Sequence, residues 1–174
     1  SGDGLDWTVV DSGATEFLYG VAGTGEGRVA VGGGGIILTS IGGAPWSLQR
    51  TALHRTLNAV AAGSSGFVAV GNAGTILRST DAGQSWTSIS SGVGDDLNGV
   101  AIVGDSVFIT GDSGAALRST DRGLTFNPMV FSSDTMRGVC AVREGSGDIT
   151  VWAGGDDQVW KSIDGGDTWS AIAM

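Results

Sequence analysis

Ser79-Thr80-Asp81-Ala82-Gly83-Gln84-Ser85-Trp86 is an octet that the chain repeats. It returns as Ser119-Thr120-Asp121-Arg122-Gly123-Leu124-Thr125-Phe126 and as Ser162-Ile163-Asp164-Gly165-Gly166-Asp167-Thr168-Trp169. The first serines lie 40 and 43 positions apart. Two eroded copies come earlier, Ser40 to Trp46 and Ser1 to Trp7, each one residue shorter. The former has Gly42 where the Asp belongs, and the latter keeps Asp3. A fixed period near forty is the signature of stacked repeat units, and it governs the reading of everything else.

Outward from each octet the rest of the unit also repeats. Upstream stand Leu18-Tyr19-Gly20-Val21-Ala22, Leu57-Asn58-Ala59-Val60-Ala61, Leu97-Asn98-Gly99-Val100-Ala101 and Met136-Arg137-Gly138-Val139-Cys140. A second run follows at Arg28–Gly32, Phe67–Gly71, Val107–Gly111 and Thr150–Gly154. After a short gap a third run leads into the octet, and a fourth begins at its aromatic residue. Four short Val/Ile/Leu/Trp-rich runs punctuated by Gly and Asp, with no 3.6-residue period, predict four antiparallel strands per unit. That is the size of one β-propeller blade. The expectation is therefore all-β: one domain over 1–174, with blades at about 16–50, 55–90, 95–130 and 135–174. Trp7 to Val10 is left over as an extra strand. Four blades are the low end for a closed ring, so the chain could also belong to a larger or oligomeric propeller.

Composition agrees. Glycine contributes 32 of 174 residues and proline 2, with no Gly-X-Y period, which excludes collagen. A 41% hydrophobic fraction with six Trp argues against disorder. Asp outnumbers Glu fifteen to three, and Asp is a turn residue. The formal charge of −9 disfavours nucleic acid and anionic membrane surfaces as partners. No apolar run reaches the ~18 residues of a membrane-spanning helix. An extracytoplasmic setting (periplasmic, secreted or surface) is expected.

The octet pattern Ser-x-Asp-x-Gly-x-(Ser/Thr)-Trp resembles the Asp-box, or BNR repeat, of sialidase-like β-propellers. The fuller unit, with its Leu-x-Gly-Val start and Val-Gly-x-x-Gly middle, resembles the photosystem II stability/assembly factor family, many of whose members have no photosynthetic role. Physics gives the octet a structural task. The Asp carboxylate accepts bonds from turn amides, and the terminal aromatic covers the blade. Ser79, Asp81, Gly83 and Trp86, Ser119, Asp121, Gly123 and Phe126, and Ser162, Asp164, Gly166 and Trp169 are accordingly structural, and no Asp among them is catalytic.

In a four-stranded meander the octets are third-to-fourth-strand turns, and the resemblance implies that ligands bind the opposite face around the channel. Position two of the innermost strand is polar in every copy: Tyr19, Asn58, Asn98 and Arg137. These are the candidate ligand-binding residues, joined by Arg50, His54 and Arg55 of the one basic linker. Guanidinium groups there match a carboxylate. One histidine makes no His-rich metal site, and no metal or cofactor is expected. Cys140 aligns with Ala22, Ala61 and Ala101 and reads as a small core residue.

A sialidase-like glycoside hydrolase would need a Tyr nucleophile with a Glu and an arginine triad. Tyr19, Glu16, Arg55 and Arg137 supply only part of that set, and the linkers are short. The chain therefore reads as a non-catalytic scaffold for a protein partner. A lectin-like carbohydrate-binding module or a sialidase-like glycoside hydrolase is the alternative, and edge strands offer a route to a homo-oligomer.

Overall fold

A computed structural model describes Leu5 and residues 9–172. Apart from Leu5, the expected octet copy Ser1–Trp7 and the first half of the Trp7–Val10 strand fall on residues outside that set. Val9 and Val10 carry no strand. The fold is all-β, and the described residues form sixteen strands in four antiparallel four-stranded sheets.

The first blade contains β1 (Leu18–Gly23), β2 (Gly27–Gly32), β3 (Ile36–Ile41) and β4 (Ser47–Arg50). The second contains β5 (Leu57–Gly63), β6 (Gly66–Gly71), β7 (Thr75–Ser79) and β8 (Thr87–Ile89). The third contains β9 (Leu97–Val103), β10 (Ser106–Gly111), β11 (Ala116–Ser119) and β12 (Asn127–Pro128). The fourth contains β13 (Met136–Arg143), β14 (Ile149–Gly155), β15 (Val159–Ser162) and β16 (Ser170–Ile172). Each is a simple meander in chain order. The inner strands β1, β5, β9 and β13 pack in succession, so consecutive blades stack face to face.

Alternation along each strand fills the seams between blades, because successive side chains point to opposite faces. Phe67 and Ala69 of β6 join Val29, Val31 and Ile37 of the first blade in one core. Their neighbours Val68 and Val70 join Leu97, Val107 and Ile109 of the third. Both faces of the middle blades are covered, which is why their strands read as unbroken apolar runs. The third seam places Phe108 and Met129 against Val151. There Phe131 stacks on Trp169 with ring centroids 4.1 Å apart. Burying one large side chain such as Phe67 contributes about 1.5–3 kcal/mol.

Four blades thus share three cores. Among the described residues no fourth core joins β13 to β1, so they form an arc rather than a closed ring of four. This exposes Cys140, contrary to the expectation of a core position. Its counterparts Ala61 and Ala101 face the following blade, and among the described residues none packs on that side of the fourth.

Register corrects one further expectation. β14 pairs Gly155 with Met136 as β6 pairs Gly71 with Leu57, so the second run of the last unit is Val151–Gly155 and not Thr150–Gly154. The β14–β15 turn is one residue shorter than its equivalents, which shifted the reading by one. Gly32, Gly71, Gly111 and Gly155 end the second strands. At each, an added Cβ would run into the carbonyl of a linker residue: Phe17, Thr56, Asp96 or Thr135.

Candidate functional site

An antiparallel meander sends alternate turns to opposite ends of a blade. One end carries the octet turns. The other gathers the β2–β3 type of turn, the linkers between blades and the start of every inner strand.

The octet end is self-satisfied. The Ser79 hydroxyl donates to Asp81 Oδ1 at 2.8 Å and accepts the Gly83 amide at 2.9 Å. Asp81 also takes the Ser85 amide at 2.9 Å and the Ser85 hydroxyl. Asp121 and Asp164 repeat this set with Ser119 and Thr125, and with Ser162 and Thr168. The Ser85 hydrogen bonds hold the Asp81 carboxyl down at about 2, and Thr125 and Thr168 depress their Asp partners further. Backbone φ is positive at Ala82 and Gly83, and again at Arg122 and Gly123. The carbonyl of Gly83 accepts from Trp86 Nε1 within the turn and from Thr39 and Gln49 of the preceding blade. These turns therefore lock blades together, and their carboxylates are fully engaged.

The opposite end is built on bulges. In every blade the pairing of first and second strands slips at position two of the inner strand, across Tyr19, Asn58, Asn98 and Arg137. A bulge re-aims the side chain of its extra residue. Asn58 Nδ2 bridges Asn72 Oδ1 of its own blade at 3.0 Å and the Leu97 carbonyl of the next inner strand at 2.9 Å. Asn98 Nδ2 does the same with Asp112 Oδ1 at 2.7 Å and the Met136 carbonyl at 3.2 Å. These two amides staple neighbouring blades. Arg137, in the last blade, donates instead to Asp156 Oδ1 at 2.5 Å, and that carboxylate raises the guanidinium's pKa. Tyr19, in the first, is largely exposed.

The partners Asn72, Asp112 and Asp156 were not among the expected site residues. A signal for them existed: each directly follows the glycine that ends the second strand.

The arginines of the basic linker, like Arg137, each have a partner of their own. Arg50, at the end of β4, pairs with Glu16 at 2.6 Å, and this bond lowers the Glu16 pKa. Arg55 donates to the Ala73 carbonyl at 3.1 Å, on the second blade. His54 is exposed at φ +50°. Linker backbone ties adjacent turns together, since Gly74 N donates to the Asp95 carbonyl and Asp112 N to the Asp96 carbonyl.

The fourth blade's end of this face holds a cleft of about 340 Å³ lined by Asp134, Met136, Asp156, Asp157 and Gln158. Asp95, Asp134, Asp156 and Asp157 are exposed on the face. Among the described residues no group of three or more His, Cys, Asp or Glu is placed to hold a metal ion. No helix there is long and apolar enough to cross a membrane.

No protein-family model matches the chain. No curated protein matches it either. Solved structures do. YCF48 from Cyanidioschyzon merolae aligns at 18% identity and TM-score 0.63, over 91% of this chain and 56% of that one. YCF48 bound to D1 peptide aligns at 21% identity and TM-score 0.70, over 96% of this chain and 59% of that one. An ancestral GH74 enzyme aligns at 17% identity and TM-score 0.74, over 97% of this chain and 25% of that one. The chain thus spans less than two thirds of each. What it shares with them is the fold: the described residues form four four-stranded blades of the β-propeller type.

Proposed function

We propose that the chain is a non-catalytic protein-binding propeller module of the Asp-box type, whose linker-and-bulge face holds a partner segment carrying basic side chains. The observation that carries this reading is the acidic cleft of Asp134, Asp156 and Asp157 on the face away from the octets. Arg137 neutralises only Asp156 there. Clustered carboxylates there suit the cationic head of a Lys or Arg. A YCF48 of the same fold was solved with a D1 peptide bound, which supports a peptide ligand.

The test is a set of labelled peptides of equal length, either Lys/Arg-rich, neutral or acidic, titrated by fluorescence anisotropy. Basic peptides bind, and binding weakens as salt rises. Asp134→Asn with Asp157→Asn weakens binding tenfold or more, whereas Asp148→Asn at the octet end leaves it unchanged. Equal binding of neutral peptides, or indifference to the double substitution, overturns the proposal. Capture of glycans in place of peptides would favour the lectin-like alternative.

A further inference from the structure

We propose that the seam between the first and second blades carries a pocket for one aromatic side chain of a partner peptide, which stacks on Trp86. This site rests on the peptide-binding reading above only for the kind of ligand, since it uses none of the acidic cleft.

The third seam is the template. Trp86 and Trp169 close the octets of the second and fourth blades, and each donates Nε1 to its octet glycine carbonyl at 3.1 Å. Both indoles are therefore held in the same way beside a seam. On Trp169 the Phe131 ring lies stacked, with centroids 4.1 Å apart, and Trp160 tilts against that ring at 5.7 Å. Phe131 stands three residues past Pro128, which pairs with Leu117, two residues before an octet serine. Leu48 pairs with Leu38, two residues before Ser40, and three residues past Leu48 stands Thr51. The first seam thus has a short hydroxyl side chain where the third has a phenyl ring.

The neighbouring positions leave the gap open. Gln49 stands in register with Ile89 and Met129, which pack into the second and third cores. Its amide donates to Thr39 Oγ1 at 3.4 Å and to the Gly83 carbonyl at 3.2 Å, so it is held against the octet turn. Leu53, at the place of the half-buried Val93, is 49% exposed. Leu77 is smaller than its counterpart Trp160. What remains is a cavity of about 300 Å³ walled by Ile37, Gln49, Leu53, Leu77 and Trp86. Packed interiors leave few voids larger than a water molecule. This volume is the low end for ligand pockets and suits a single ring system. Among the described residues no second ring lies against Trp86. Phe131 reaches Trp169 from backbone just past an outermost strand, and a side chain on an extended peptide matches that approach.

Isothermal titration with neutral, end-capped peptides tests this. One carries a central Trp between Gly and Ser residues, and two others carry Leu or cyclohexylalanine in its place. The Trp peptide binds about fivefold or more tightly than either, the gain of a stacked aromatic pair, and salt leaves this unchanged. Thr51→Phe supplies the missing ring from within, so it abolishes binding and raises the melting temperature. Trp86→Leu abolishes binding too, and far-UV circular dichroism checks that both variants fold. Asp134→Asn with Asp157→Asn leaves it intact, which separates this site from the acidic cleft. Absent binding of the Trp peptide overturns the proposal, whatever the basic peptides do. So does equal binding of the cyclohexylalanine peptide, unaltered binding by Thr51→Phe, or free indole that binds as tightly as the Trp peptide.

Discussion

Val60 and Val21 stand at one position of one repeat, yet the first is sealed in a seam and the second faces outward. The same contrast separates Leu57 from Leu18 and Ile76 from Val159. A repeat unit carries its docking surfaces whether or not a neighbour is present. Burial is a property of the stack, and the identity of a residue alone does not determine it.

The largest test of that contrast is Leu57→Ala against Leu18→Ala. The first empties a packed seam and costs about 2–5 kcal/mol. The second costs less than about 1 kcal/mol for an isolated chain, since its side chain is already partly in water. Urea unfolding monitored by Trp emission measures both, and equal losses would break the comparison.

Next is Gly83→Ala against Gly43→Ala. Both residues have positive φ, +87° and +81°. A Cβ at Gly83 would also approach Val29 Cγ2 to 2.6 Å, while one at Gly43 meets open space. The seam glycine therefore costs about 1–3 kcal/mol more, the range of overpacking.

Asn58→Leu against Tyr19→Leu comes third. Losing the Asn58 amide strands the Leu97 carbonyl and Asn72, at about 1–3 kcal/mol. The Tyr19 change stays within about 0.5 kcal/mol, as at a surface position. Differential scanning calorimetry resolves the two.

The smallest effect is in acid. Asp81, Asp121 and Asp164 have native pKa values below those of the unfolded chain, so their stabilisation is complete above the unfolded pKa near 4. It fades as pH falls through the native values, about 2 for Asp81. Asp81→Asn flattens this acid limb of the stability curve. No change in its slope between pH 4 and 2 would remove the octets from the account. The first blade, with Gly42 in place of the Asp, contributes nothing there.

The octets were legible because Ser, Asp and Gly at fixed spacing meet one another within a single turn, and local bonds follow from local sequence. Position two of the inner strand was legible as polar but not in its task. Asn58 and Asn98 take their acceptors from strands 39 and 38 residues away, which no short window reveals. Cys140 was misread for a related reason, since alignment with Ala61 assumes a following blade. Gly154 was misread because one turn is a residue shorter, and a two-residue alternation flips with a slip of one. The acidic cleft went unseen because Asp134 and Asp156 come from separate segments.

Each seam joins only blades adjacent in the chain, which gives the molecule the energetics of a short one-dimensional lattice. Opening the arc at either end breaks one coupling, whereas opening it in the middle breaks two. Amide protons of β6 and β10 should then outlast those of β2 and β14 in exchange with heavy water.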